Sequence, residues 1–258
     1  MVRSNVPNEV LGVIPARLAS TRFPNKALAI LAGKPMIQHV WERVLGAQTV
    51  DRIIIATDSQ LIYDAACKFG AEAMMTREDH LSGTDRVAEV SFAYPQYPLI
   101  VNIQGDEPLI DPAAIAAAVH GLRSSTAPMG TLKKKIEIAA ELDNPNVVKV
   151  VTDHSGSALY FSRSRMPFNR SGDHADTFKH IGLYVYRRDF LLGYSTMPVG
   201  PLETAERLEQ LRALENGHKI HVVETNYESL GVDTPEDLEL VSRQIAVLLA
   251  GGTQGHNG

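Results

Sequence analysis

A single cysteine, Cys67, is all the thiol that this 258-residue chain carries. That excludes an internal disulfide and any cysteine-built zinc site, and it fits a reducing compartment in which a lone cysteine packs as a small hydrophobe. Long apolar runs are missing too, since none approaches the roughly 20 residues needed to cross a bilayer. The stretch Met1 to Glu9 is polar and contains Pro7, so it lacks the apolar core of a signal peptide. These absences predict a cytoplasmic protein with no membrane partner. Nor is there a block of five or six cations, and the formal net charge is -5, so the field of the whole molecule disfavours nucleic acid.

Three chemical signatures are absent as well. There is no G-x-x-x-x-G-K followed by Ser or Thr, which removes phosphate binding of the kinase or GTPase kind. No G-x-G-x-x-G follows the first apolar run, which counts against a dinucleotide oxidoreductase. No G-x-S-x-G elbow offers a hydrolase nucleophile.

What is present is an α/β pattern with 44% hydrophobic residues, enough for a large core. Apolar runs at Val10 to Ile14, Arg52 to Ala56, Glu72 to Met75, Leu99 to Ile103 and Met129 to Leu132 alternate with helical stretches. Those stretches read as Pro35 to Ala47, Gln60 to Phe69, Thr84 to Phe92 and Pro112 to Arg123. The alternation predicts a mostly parallel sheet flanked by helices. Asp111 and Thr234, each before a proline that suits the first helical turn, are expected N-caps. The second half is β-rich at Val147 to Val151, Ala158 to Ser162 and Gly182 to Arg187, with a polar excursion over Arg163 to Phe178. A helix from Leu202 to Glu215, a strand from Lys219 to Val223 and a helix from Pro235 to Leu249 follow. One domain over residues 1–250 is expected, with the excursion at about 163–178 and a disordered tail at 251–258 that has nothing to bury.

The segment after the first strand, Ala16-Arg17-Leu18-Ala19-Ser20-Thr21-Arg22-Phe23-Pro24-Asn25-Lys26, puts three cations and two hydroxyls in one loop. In a parallel sheet, ligands gather at the carboxyl ends of strands, so Arg17, Arg22 and Lys26 can converge on one triphosphate. Backbone amides around Ala16 to Thr21 add donors to the same concavity. The fourth strand ends in Gln104-Gly105-Asp106-Glu107-Pro108, which brings an acid to the same edge. Its carboxylate suits a hard cation such as Mg²⁺, unless Asp106 only caps the helix region after it. Gly231-Val232-Asp233-Thr234-Pro235-Glu236-Asp237 offers a second acid, with N-capping as the competing use. Two carboxylates are the minimum protein contribution to a magnesium site at a reacting phosphate. Ahead of both in the chain, His80-Leu81-Ser82-Gly83-Thr84-Asp85-Arg86 enters a helix. Ser82, Gly83 and Thr84 can read a base or a sugar hydroxyl, or they can cap the helix. His180 is either a pocket residue or a strand histidine satisfied by backbone, and Tyr184, four residues on, lies on the same strand face.

These blocks, with His180-Ile181-Gly182-Leu183-Tyr184, Asn144 to Val150, Pro201-Leu202-Glu203 and Leu208 to Arg212, resemble the cytidylyltransferases that make CMP-activated keto-acid sugars. Within them the chain is most similar to the 3-deoxy-manno-octulosonate (Kdo) cytidylyltransferase family, from about Val10 to Leu248. The resemblance implies a Rossmann-like nucleotidyltransferase fold, Mg²⁺ dependence, usually a homodimer, and transfer of CMP from CTP to an ulosonic acid in lipopolysaccharide biosynthesis. It implies nucleotide binding by Ala16, Arg17, Ser20, Lys26, Ser82, Gly83, Thr84 and Asp106, and metal binding by Asp106 and Asp233. Catalytic roles fall to Lys26, Arg17 and Asp106. The sugar side would be Arg86, Gln104, His180, Tyr184, Glu203 and Gln210, with Arg86 forking to the sugar carboxylate. Arg163 to Phe178, including Met166-Pro167-Phe168-Asn169, is shorter than in the enterobacterial type, so Kdo, an 8-amino analogue and sialic acid stay open as acceptors. A non-catalytic nucleotide-sugar sensor would not need the paired acids.

Overall fold

The computed structural model describes residues 10–18, 23–170 and 176–252. Expectations for Met1 to Glu9, Ser20, Arg22, the middle of the 163–178 excursion and the end of the tail lie outside the described residues.

The chain opens with β1 (Val10–Ala16), buried everywhere except Pro15, which is why it reads as a continuous apolar run rather than an alternating one. After a 3₁₀ turn at Lys26–Leu28, a small hairpin of β2 (Ile30–Leu31) and β3 (Lys34–Pro35) leads into α1 (Met36–Leu45). Pro35 stands just outside that helix as its N-cap. Met36, Ile37, Val40 and Val44 make the buried stripe of α1. Then come β4 (Arg52–Thr57), α2 (Gln60–Lys68), β5 (Glu72–Met75), α3 (Gly83–Ala93), β6 (Leu99–Asn102), α4 (Pro112–Arg123) and β7 (Met129–Lys135). The second half comprises α5 (Ala139–Leu142), β8 (Lys149–Thr152), β9 (Ala158–Ser162), β10 (Phe178–Arg187), α6 (Arg188–Tyr194), α7 (Pro201–Glu206), α8 (Leu211–Glu215), β11 (Ile220–Glu224) and α9 (Pro235–Gly252).

Two compact units emerge. Of the described residues, those within 1–95, 102–112 and 229–258 make the first, and those within 96–101 and 113–228 make the second. In the first, β1, β4 and β5 lie side by side, all parallel, with Ile14 opposite Ile55 and Ala56 opposite Met74. The chain leaving β6 continues beside β1, where Ile103 N–H donates to the Val13 carbonyl at 3.0 Å. In the second, the order is β11-β7-β10-β6; β11 runs parallel to β7, whereas β10 is antiparallel to it. Antiparallel β8 and β9 extend this part from β10. The expected α/β class, a mostly parallel sheet with helices and a β-rich portion in the second half, is the observed one.

Two elements differ from expectation. Residues 202–215 form two short helices, because Arg207 sits in the left-handed region (φ 52°) and ends α7. Glu206 is drawn away to accept from Ser162 Oγ at 2.6 Å and from Arg163 N–H at 3.0 Å, which holds that break. Strand β10 starts at Phe178 rather than Gly182, with inward and outward positions alternating through most of it. Pairing with both β7 and β8 supplies tertiary hydrogen bonds that a single sequence does not display.

Candidate active site

Strand β1 delivers the chain to its carboxyl end at Ala16, which is buried, and Arg17, which is partly exposed. The chain then turns back: Asn25 takes the left-handed conformation (φ 57°) that asparagine tolerates, and its N–H donates to Leu18 carbonyl at 3.3 Å. This turn places Lys26 at the start of the 3₁₀ segment.

A second segment arrives from β6. Gly105 is required here, since a Cβ would stand 2.7 Å from the Pro15 carbonyl oxygen of β1. Asp106 follows at once. A third segment precedes α9. Val232, fully buried with Leu31, Met36, Val241 and Ile245, donates its N–H to the Asp106 carbonyl at 2.9 Å. Capping of α9 is done by Thr234: its Oγ1 accepts from Asp237 N–H at 3.2 Å, and the Asp237 carboxylate accepts from Thr234 N–H at 2.9 Å. Pro235 fills the first helical position, where no N–H is needed. The expected cap is therefore present, and Asp233 is released from that duty to face Lys26.

The three segments meet at one ammonium. Lys26 Nζ donates to Asp106 Oδ2 at 2.7 Å and to Asp233 Oδ1 at 3.0 Å. Burial pulls the Lys26 pKa down, but the charges and hydrogen bonds of Asp106 and Asp233 outweigh it and leave the group above its ordinary value. The lysine side chain is 16% exposed, the aspartates 35% and 48%, so solvent reaches the acids more readily than the lysine between them. Hard oxygen donors gathered around a positive charge fit a divalent ion that fills its other positions with phosphate oxygens and water. No group of three or more His, Cys, Asp or Glu side chains able to hold a metal occurs among the described residues, so the protein alone offers no closed cage.

The α3 entrance is a capping box. Ser82 Oγ accepts from Asp85 N–H at 3.1 Å, and the Asp85 carboxylate accepts from Ser82 N–H at 3.1 Å. Gly83 lies beside Pro15, where a Cβ would stand 3.7 Å from the proline ring, and Thr84 is buried. Arg86 requires a correction. It is completely buried, and its guanidinium donates to Asp58 at 2.5 Å and to Thr76 Oγ1. A guanidinium enclosed with its own carboxylate braces α3 against the segments that follow β4 and β5; it is not presented to a substrate. Likewise His80 pairs with Glu89.

In the second unit, His180 Nε2 lies 3.0 Å from Thr131 Oγ1. That hydroxyl donates to the Leu183 carbonyl at 2.9 Å or the Ile181 carbonyl at 3.0 Å, so the imidazole supplies the proton of its own bond to Thr131. Burial drives the His180 pKa down to about 3, leaving the ring neutral. Phe161 meets it edge-on with centroids 5.1 Å apart, and Tyr184 lies 5.4 Å away. Burial also pushes the Tyr184 hydroxyl well above its usual value. Glu203 likewise differs from the sugar-binding expectation: Arg212 forks to it at 2.8 and 2.6 Å, which occupies both oxygens and makes it a holder of Arg212. Gln210 is 4% exposed, and its Nε2 has no partner among the described residues. Gln104 remains partly exposed between Ile103 and Gly105. Ser20 lies outside the described residues. Sequence reasoning missed Asp58 and Thr131; Asp58, directly after β4, shares the strand-end position that drew attention to Asp106.

Comparison with known proteins points the same way. The Cytidylyltransferase family model matches residues 11–220. Over 241 residues the chain is 66% identical to a 3-deoxy-manno-octulosonate cytidylyltransferase of Solibacter usitatus, covering 92% of this chain and 95% of the relative. The chain belongs to this family. A second relative of that name, from Trichlorobacter lovleyi, is 55% identical, with 89% of this chain and 96% of the relative covered. The solved structure of a CMP:2-keto-3-deoxy-manno-octonic acid synthetase complexed with CTP matches with a TM-score of 0.88 and 44% identity, over 92% of this chain and 98% of that one. The fold is thus that of a nucleotidyltransferase, and the chain is an enzyme, a cytidylyltransferase.

Proposed function

We propose that this cytidylyltransferase transfers CMP from CTP to 3-deoxy-manno-octulosonate, releasing pyrophosphate and giving the activated sugar used in lipopolysaccharide biosynthesis. The observation that carries the reading is the meeting of Asp106 and Asp233 at Lys26 on the loop that leaves β1. The anomeric hydroxyl of the sugar attacks the α-phosphorus of CTP in line, and the bond to the β-phosphate oxygen breaks. No protein nucleophile is needed, so positioning and charge neutralisation carry the catalysis. Arg17 and Lys26 offset the phosphate charge, and Ala16, Ser20, Ser82, Gly83 and Thr84 bind the nucleotide. Asp106 and Asp233 would hold Mg²⁺, which when bound supplies Lewis-acid polarisation of the α-phosphate. Gln104, His180, Tyr184 and Gln210 recognise the sugar acid; a neutral His180 donating to Thr131 keeps its other nitrogen as an acceptor for a sugar hydroxyl. Glu203 acts through Arg212 as a positioning residue. The working form is a homodimer in the cytoplasm, where CTP is made.

Incubation with CTP, Mg²⁺ and a panel of ulosonic acids, followed by pyrophosphate release, tests the reading. Kdo should turn over fastest. Faster turnover of the 8-amino analogue or of sialic acid would reassign the acceptor, and binding of CTP without turnover of any acid would favour a sensor. Sedimentation velocity checks the dimer.

A further inference from the structure

Without substrate, the protein supplies a cation to its own acid pair. Lys26 Nζ stands 2.7 Å from Asp106 and 3.0 Å from Asp233, whose carboxylates lie 80 and 207 positions away in sequence. Two carboxylates held on one side of a site repel, and their partial cover strengthens every charge contact relative to open water. An ammonium between them cancels that repulsion and keeps both oxygens aimed at one point. A divalent ion seeking the same oxygens meets a like charge already hydrogen-bonded to them. The lysine can leave without backbone movement, because its ammonium rides on a flexible four-carbon stem. Phosphate oxygens are the natural acceptors when it does so.

We propose that Lys26 is a cation placeholder: its ammonium occupies the acid pair in the free enzyme, and an incoming triphosphate draws it off and opens the pair to a divalent ion. The inference rests on the metal reading above and adds an order of events to it. Asp106 and Asp233 bind the ion poorly until nucleotide is present, so metal and nucleotide engage together. By linkage, nucleotide must raise metal affinity by the same factor that metal raises nucleotide affinity.

The test is Mn²⁺ binding without nucleotide, read from the free-ion electron paramagnetic resonance signal. Lys26→Met removes the charge and keeps the stem. It should bind Mn²⁺ about tenfold or more tightly than the wild type, and Mn²⁺ should raise its melting temperature more than that of the wild type. Equal or weaker binding by the variant overturns the placeholder. Should Lys26→Met not fold, Lys26→Gln carries the same comparison. Adding Asp106→Asn separates the two readings. If the gain of the lysine variant disappears in the double variant, the carboxylates hold the ion as proposed. If equal affinities in wild type and lysine variant are both lost with Asp106→Asn, the placeholder fails and the metal site stands. Binding that survives both Asp106→Asn and Asp233→Asn overturns the placeholder and the metal site together.

Discussion

Lys26 shows how much one side chain can do through charge alone. Its two acidic partners are needed for different reasons from its own, and this gives separable expectations. Asp106→Asn and Asp233→Asn should each lower pyrophosphate release about 10²–10³-fold, the scale of losing one preorganised electrostatic contact, while the melting curve stays close to wild type. Release near the wild-type rate in either variant would remove that residue from the phosphate site. His180 gives a pH expectation with a defined sign. The unfolded imidazole titrates near 6.5 and the folded one near 3. Between these values the unfolded chain binds more protons, so the contribution to stability is intact above pH 6.5 and falls as the pH drops toward 3. Melting temperature against pH should therefore decline less steeply below 6.5 in His180→Phe than in the wild type. Parallel curves would show that the ring titrates normally.

At the scale of elements, the site depends on close approach and on caps. Gly105 lets the β6 exit lie against β1, and a methyl group there would stand 2.7 Å from the Pro15 oxygen. Gly105→Ala should cost about 1–3 kcal/mol by forcing backbone apart, and it should displace Asp106, so CTP turnover falls by more than the stability loss explains. Denaturant unfolding and rate measurements on one preparation check both parts. Elsewhere, Glu215 accepts from the N–H groups of Leu202 and Glu203 at 2.8 and 2.9 Å, satisfying the first turn of α7. That carboxylate fills the space where a Cβ on Gly200 would stand, 2.3 Å from its atoms. The same helix presents Glu203 to Arg212. The break between α7 and α8 is held by Glu206 accepting from Ser162 and Arg163, 44 and 43 positions away, which is why the reading of 202–215 as one helix failed.

For the molecule as a whole, stability and substrate binding are linked. A ligand that binds only the folded state at 100 times its Kd adds about 2.7 kcal/mol, and at about 2–4 °C per kcal/mol for a chain of this size that raises Tm by about 5–11 °C. CTP with Mg²⁺ should produce such a shift, and a chelator added to the same sample should remove most of it. A shift with CTP that is indifferent to chelation would argue that no divalent ion contributes to binding. No helix among the described residues is long and apolar enough to cross a membrane.

Much of this was legible in the chain. The unbroken apolar run of β1 announces a strand buried on both faces, and Thr234-Pro235 announces the start of α9. Those are local signals, set by side-chain size, charge and backbone freedom within a few residues. Which acids would meet was different. Val232 had to reach the Asp106 carbonyl, and Thr234 with Asp237 had to take over the cap, before Asp233 could turn to Lys26. The fate of Arg86 and Glu203 was likewise hidden, because Asp58 and Arg212 compete for them at hydrogen-bond range. Sequence thus determined the chemistry available at each strand end, through periodicity and residue type. Tertiary structure decided which charges are satisfied internally and which remain for substrate, because Coulomb attraction and desolvation depend on distances that only the folded chain sets.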